Sequence, residues 1–361
     1  MGRKPSPISS LTKPKLITFG WYGGKYSHLS WLLPLLPPCH HYCEPFGGSG
    51  AVLLNREPSP VETYNDLDGE VANFFRTLRN MKDELIEAIA LTPFSREEFA
   101  LACTLDPSLT PLERARRFYV RARQVRTGLA QSASVGRWAN CKGSSNRGMS
   151  GSVSRWLGGV EDLAPIAERL LRVQIENRPA IEMIKLYDSP DTLFYCDPPY
   201  VHDTRSDKRV YRYEMSDDEH IELAEALHSA KGMVAISGYQ CDLMDGLYPA
   251  PKWHKKTNTK TNHSSKDRRT EVLWRNFHDP YKLCTWRKGS DAIWQSDCGN
   301  RAELDGTPRD NDLRECPHCK RPVQQRGDAP LSKENWEARI DFPPPEVLLN
   351  SSWVPIHRER E

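Results

Sequence analysis

His40-His41-Tyr42-Cys43-Glu44-Pro45-Phe46-Gly47-Gly48-Ser49-Gly50-Ala51-Val52-Leu53-Leu54 changes character twice, from a short apolar segment to a run of glycines and then to apolar residues. That sequence reads as a strand, a glycine loop and the start of a helix. Downstream, Val61-Glu62-Thr63-Tyr64 is another strand candidate; it ends at Asn65-Asp66-Leu67-Asp68 and a helical run follows through Leu78. Upstream, Leu16-Ile17-Thr18-Phe19 reads as a strand leading into Gly20-Trp21-Tyr22-Gly23-Gly24-Lys25, whose glycines suit a tight turn carrying a cation, with a helix after it. The β-α-β-α rhythm predicts an α/β fold built on a parallel sheet.

The rhythm is interrupted and then resumes. Ser95 with Glu98, and Thr110-Pro111 with Glu113, each place an acceptor side chain before a helical run. From Thr127 to Gly159 the composition shifts to Gly, Ser and Asn with interspersed Arg and Trp, as in an insertion. The α/β pattern returns at Leu171. Leu193-Phe194-Tyr195-Cys196 is a buried-type strand running into Asp197-Pro198-Pro199-Tyr200, and Ser216 with Glu219 caps a helix through Leu227. Met233-Val234-Ala235-Ile236 and Val272-Leu273-Trp274 are later strand candidates. The expected organisation is a main domain over 16–280 with an insertion at about 90–170, a small module over 281–325 and a tail over 326–361.

At 361 residues the chain is about twice the usual domain length. Fifty Lys and Arg against 48 Asp and Glu leave a formal charge of +2, which excludes a packaging protein that is basic throughout and an acidic solvating chain. No apolar run reaches the roughly 18 to 20 residues that span a bilayer, and Met1 to Leu16 lacks the apolar stretch of a signal peptide. A cytoplasmic, monomeric protein with no membrane partner is expected. In a reducing cytosol the ten cysteines are not a disulfide framework, and Cys39, Cys43, Cys103, Cys141, Cys196 and Cys241 show no ligand spacing.

Two motifs carry chemistry. In the first, glycines at a helix start let backbone approach a ligand, and Asp66, about 20 residues on, lies where an acid accepts hydrogen bonds from ribose hydroxyls. The loop lacks the third glycine of a dinucleotide fingerprint and the Gly-Lys-Ser/Thr ending of a P-loop. Glu44 would repel a pyrophosphate and favour a ligand carrying positive charge. Alone, the loop reads equally as an ordinary glycine-rich βα turn. In the second motif, Pro198 and Pro199 remove two N–H donors and fix outward-facing carbonyls. The Asp197 carboxylate and the Pro198 carbonyl then suit the two hydrogens of a planar exocyclic amine, localising the nitrogen lone pair, while Tyr200 stacks on the ring. Asp-Pro-Pro is also a common turn.

In order, Trp21-Tyr22-Gly23-Gly24-Lys25, Glu44 to Gly50, Asn65-Asp66 and Asp197-Pro198-Pro199-Tyr200 resemble the Dam-type, D12 class adenine-N6 DNA methyltransferases. The likeness runs over roughly residues 16 to 277 and takes in His220, Ser237-Gly238-Tyr239 and Arg269-Thr270-Glu271-Val272-Leu273-Trp274. It implies a Rossmann-like, S-adenosylmethionine-dependent methyltransferase with a mainly helical target-recognition insertion, acting site-specifically on N6 of adenine in double-stranded DNA. Carried over, Trp21 and Lys25 contact the cofactor, Glu44, Phe46, Gly48 and Gly50 line its pocket, and Asp66 takes the ribose. Asp197 serves both the cofactor and the target amine, with Pro198, Pro199 and Tyr200 completing the catalytic box. One departure is Arg178-Pro179, where relatives often carry an Asp after Glu-Asn. The alternatives are a cytosine-N4 DNA methyltransferase, against which Asp rather than Ser at 197 argues, and a non-catalytic zinc-containing DNA-binding protein.

Two further features bear on these readings. Between Leu112 and Trp156 there are ten cations and one acid, Glu113, with Arg114, Arg116, Arg117, Arg121, Arg123 and Arg126 crowding one predicted helix; Lys252 to Arg269 holds seven cations against Asp267. Such segments neutralise phosphates, although a charge run is also a common solvated face. Arg137-Trp138, Arg147 and Arg155-Trp156 are placed to reach bases. The second feature is Cys316-Pro317-His318-Cys319, which with Cys284 and Cys298 supplies the four thiolates of a closed structural Zn²⁺ site. With Trp286 and Trp294 the segment resembles the small zinc-ribbon tails of phage-type proteins.

Overall fold

The computed structural model describes residues 15–205, 212–261, 268–278, 284–288, 293–296, 301–304, 307–308 and 323–325. Strands β1 (His41–Glu44), β2 (Val61–Asn65), β5 (Val173–Glu176), β6 (Thr192–Cys196), β7 (Met233–Tyr239), β8 (His254–Thr261) and β9 (Arg268–Arg275) form one sheet. The remaining pair, β3 (Ser145–Asn146) and β4 (Met149–Ser150), is a separate hairpin. The sheet order is β5-β2-β1-β6-β7-β9-β8. The pairs among β5, β2, β1, β6 and β7 are parallel, and β9 is antiparallel to both β7 and β8. The architecture is therefore α/β with a mostly parallel central sheet, as the rhythm around the glycine loop predicts.

Period-two alternation divides the strands between two cores. Tyr42, Tyr64, Leu193, Tyr195, Ala235 and Leu273 face one cluster, with Phe74, Phe75 and Leu78 of the helix Gly69–Asn80. Cys43, Phe194, Cys196, Val234, Ile236, Val272 and Trp274 face the other, with Met183 and Ile184 of the helix Ala180–Tyr187 and Leu223, Ala224 and Leu227 of the helix Asp217–Ser229. A sheet covered on both faces accounts for strands that are apolar throughout, such as Thr192-Leu193-Phe194-Tyr195-Cys196, every residue of which is buried.

Leu16 to Phe19 do not form the expected strand: the Leu16 backbone is tied to the Asn55 side chain instead of a neighbouring strand, and Phe19 is buried in the first cluster. The expected caps form. The Ser95 hydroxyl accepts from the backbone of Glu97 and Glu98, Thr110 from Glu113, and Ser216 with Glu219 makes a complete capping box. β8 is a strand where the sequence offered only a basic cluster: it lies at the sheet edge, where Lys255 and Lys256 are exposed and charge discourages further pairing. The helices of segment 90–170 share the main core. Phe118 and Tyr119 of Pro111–Gln124 pack on Phe74, the Tyr119 and Phe74 rings stacked at 5.6 Å, and Trp156 lies against Tyr119.

Beyond the large sheet, β10 (Cys284–Lys288), β11 (Ile293–Ser296), β12 (Arg301–Glu303) and β13 (Val323–Gln325) form a four-stranded sheet ordered β12-β11-β10-β13 around buried Trp286 and Trp294. Of the expected zinc ligands, Cys298, Cys316 and Cys319 lie outside the described residues, and Cys284 is described only through its backbone pairing with Val323. The tail over 326–361 is also outside them. Among the described residues no helix is long and apolar enough to cross a membrane.

Candidate active site

β1 and β6 are neighbours in the sheet, yet the chain leaves them for opposite faces. After β1 it enters the helix Ala51–Asn55, packed in the first cluster; after β6 it reaches Asp217–Ser229, in the second. A crevice opens where the directions diverge, beyond the carboxyl ends of the strands. The glycine loop and the Asp-Pro-Pro-Tyr turn are the two segments that emerge there. Trp21, Lys25, Glu44, Phe46, Gly48, Asp66, Asp197 and Pro199 line one cleft of about 150 Å³.

The loop is built for close approach. Gly48 and Gly50 have φ of +51° and +67°, where a side chain is strained. A Cβ at Gly47 would lie 2.1 Å from the Tyr64 ring, and one at Gly48 would meet Trp21 Nε1 at 2.7 Å. Asn65 locks the loop in place: its amide donates to the carbonyls of Pro45 and Arg178 at 2.8 and 3.0 Å, and its oxygen accepts from Arg178 N at 2.9 Å. Asp66 accepts from Gly48 N and Asp68 N, both at 2.8 Å. The sequence marked Asn65 only as a neighbour of Asp66, because its partners are 20 and 113 residues away.

Opposite the loop, Lys25 is buried, and its three ammonium protons have three acceptors: Asp197 Oδ1 at 2.6 Å, Gly23 O at 2.8 Å and Glu271 Oε1 at 3.3 Å. Tyr200 donates its hydroxyl to Glu271, and its ring is packed between the Lys25 ammonium, 4.9 Å from the centroid, and the Tyr239 ring at 4.7 Å. Tyr195, which also lines the cleft, shares a hydrogen bond of 2.9 Å with Ser237. Arg212 and Tyr213, from the segment after the turn, line the cleft as well, and Arg212 crosses to Asp68 at 3.2 Å.

The site holds more acid than base. Burial raises Glu44 to about 8, against the hydrogen bond it accepts from Tyr42. Burial likewise raises Asp66 to about 6, opposed by the amides of Asp68 and Gly48. Asp197 is raised to about 6, by burial first, with Lys25 pulling it down and Glu271 pushing it up. Desolvation works against the Lys25 charge, but Asp197 and Glu271 outweigh it and hold its pKa above the ordinary lysine value. A ligand bearing net positive charge would relieve this cluster; an anion would aggravate it.

Comparison with known proteins identifies the arrangement. The D12 class N6 adenine-specific DNA methyltransferase family matches residues 21–262, more than half of the chain and the span that contains every one of these elements except Glu271. The chain belongs to this family. It therefore methylates N6 of adenine in DNA, with S-adenosylmethionine as the methyl donor that the family implies. A relative, Type II methyltransferase M1.LlaDCHI of Lactococcus lactis subsp. cremoris, is 25% identical over 284 residues, covering 71% of this chain and 94% of its own length.

In this D12 class methyltransferase the cations of Pro111–Gln124 are not a free DNA-facing row. Arg114 pairs with Glu70, Arg116 with Glu98 at 2.8 Å and Glu113 at 2.7 Å, and Arg117 with Glu113 at 2.7 Å. Arg121 donates to Ala102 O and Arg123 to Arg155 O. Bonds from Arg116 and Arg117 hold Glu113 down at about 2. Trp138 is half-buried, packed on Phe94 and under Arg96, whereas Trp156 is buried in the core and is not presented to a base. Exposed cations lie further on, at Arg126, Arg137, Lys142, Arg147 and Arg155. Accordingly, Arg116→Ala is expected to lower the melting temperature while leaving the salt slope of DNA affinity unchanged. Arg137→Ala is expected to reduce that slope by about 1 without loss of stability. Melting curves and affinity measured across a salt series check both.

Proposed function

We propose that the cleft holds S-adenosylmethionine and the flipped target adenine side by side, with Asp197 between them. The observation that carries this reading is the position of Asp197: it comes from the turn after β6, lies in the same cleft as the glycine loop of β1, and is ion-paired to Lys25 of the amino-terminal turn. The acid excess fits the cofactor, whose sulfonium and ammonium outweigh its carboxylate. Glu44, Phe46, Gly48, Gly50 and Trp21 would surround it, Asp66 would accept from its ribose, and Lys25 would hold Asp197 at its edge. When bound, S-adenosylmethionine supplies an electrophilic methyl group on a sulfonium that leaves as a neutral thioether.

The protein's part is to present the nucleophile. The Asp197 carboxylate and the Pro198 carbonyl accept the two N–H bonds of the adenine amine, so that the N6 lone pair points at the methyl group in line with the leaving sulfur. Pro199 stiffens the turn; Tyr200, expected from the sequence to stack on the base, is buried outside the cleft lining and braces the turn through Glu271 and Lys25. The proton that N6 loses has the Asp197 carboxylate as an acceptor within reach. The base must leave the duplex to arrive there. Segment 90–170, with the exposed Arg126, Arg137, Lys142, Arg147 and Arg155, is the site-recognition part, and phosphate contact by those cations gives affinity. The protein acts in the cytoplasm as a monomer, and Cys284, Cys298, Cys316 and Cys319 close a zinc ribbon over 281–325.

The cofactor reading is tested by pH. Glu44, Asp66 and Asp197 are held at about 8, 6 and 6 by burial, and a cationic ligand favours their ionised forms. Binding therefore releases protons, and affinity weakens as pH falls from 8 to 5, by at most about tenfold per unit for each coupled proton. Calorimetry in buffers of different ionisation enthalpy measures both quantities. A dissociation constant flat over that range, with no proton release, would count against the assignment.

A further inference from the structure

We propose that Glu271 is a positioning residue for methyl transfer: from β9 it holds the Tyr200 hydroxyl and shares the Lys25 ammonium, and so fixes both the Asp-Pro-Pro-Tyr turn and the cation paired with Asp197. The inference rests on the reading of Asp197 as the acceptor of the target amine. Glu271 lies outside the span of the family match. It reaches the site only because β9 is inserted, reversed, between β7 and β8, with Glu271 opposite Tyr239 on one side and Asn258 on the other.

The geometry makes the three side chains one unit. Lys25 and Glu271 are almost sealed from solvent, with side chains 4% and 6% exposed, whereas Asp197, at 18%, is the member that opens on the cleft. A buried ammonium needs acceptors for all three of its protons, and removing one leaves an uncompensated polar group. With Asp197 as its only carboxylate partner, Lys25 would draw on that carboxylate alone and weaken it as an acceptor. Glu271 takes part of the ammonium's hydrogen bonding, so Lys25 draws less on Asp197, which is left a stronger acceptor for the adenine amine. The same carboxylate anchors Tyr200, the neighbour of the two prolines, so one residue sets the position of the turn from both ends.

Glu271 also acts on Asp197 through space. The charged and titratable groups facing it are Lys25, Asp197, Tyr200 and Tyr195, and its negative charge raises Asp197. Removing that charge lets Asp197 ionise at lower pH.

Steady-state kinetics of the full-length protein with S-adenosylmethionine and duplex DNA test the proposal. Glu271→Gln is expected to lower kcat about 10- to 100-fold with KM for both substrates changed less than threefold, and to move the acid limb of the kcat profile to lower pH. Glu271→Asp keeps the charge on a shorter arm; it should lower kcat while leaving the acid limb near its wild-type position. A kcat for Glu271→Gln within twofold of wild type overturns the inference, as does a loss confined to melting temperature with an unmoved acid limb. Asp197→Asn, run in parallel, separates the two claims: full activity in that variant defeats the reading of Asp197 itself, whereas an inactive Asp197→Asn beside a normal Glu271→Gln defeats only the role of Glu271.

Discussion

Asp197→Ala is expected to reduce methyl transfer by about 10²- to 10³-fold, the loss seen when a group that stabilises developing charge is removed from a preorganised site. The substitution deletes the acceptor proposed for the target amine and also leaves Lys25, bonded to Asp197 at 2.6 Å, with Glu271 as its remaining carboxylate partner among the described residues. DNA affinity should survive, because the phosphate contacts proposed above lie with exposed cations distant in sequence. Single-turnover transfer of a labelled methyl group, alongside DNA binding by anisotropy, separates the two effects. A rate within tenfold of wild type would mean that the amine is held by something else.

The second large effect is at Gly47. Its φ is unexceptional, so the penalty of Gly47→Ala is steric. The added methyl would sit 2.1 Å from the ring of Tyr64, and that ring cannot step aside, since it is fully buried and its hydroxyl is bonded to Gly48 O at 2.7 Å. Overpacking of this kind costs about 1–3 kcal/mol. Because the strain falls on the loop proposed to hold the cofactor, S-adenosylmethionine affinity should drop about tenfold or more together with the melting temperature. Gly158→Ala is the control: nothing lies within 4 Å of its added methyl, which should leave both quantities unchanged or improve the helix slightly. Equal behaviour of the two variants would show that the loop has room the packing denies it.

What could be read from the sequence divides along physical lines. Features carried by adjacent residues were legible: the strand, glycine loop and helix around Gly47, the stiff Asp197-Pro198-Pro199 turn and the Ser216/Glu219 capping box each follow from local conformational preference. Features that depend on the order of strands were not. Glu271 falls within the family likeness but with no role: it is 74 residues from Asp197 and reaches it only through the reversal of β9, which no periodicity announces. β8 reads as a run of cations because an edge strand is polar, and only its pairing with β9 makes it a strand. The arginines of Pro111–Gln124 looked free for the same reason: two of the acids that meet them, Glu70 and Glu98, are supplied by other helices. The cations that the structure leaves exposed in this stretch lie instead at residues 126–155. The glycine loop, ambiguous when read alone, gained its meaning from Asp66 and Asp197 lining the same cleft.

The most direct test of the whole account is to incubate the protein with methyl-labelled S-adenosylmethionine and duplex DNA, digest the product to nucleosides and identify the labelled species. The account predicts label in N6-methyladenine alone, absent when Asp197→Ala replaces the wild type; label in N4-methylcytosine would contradict it.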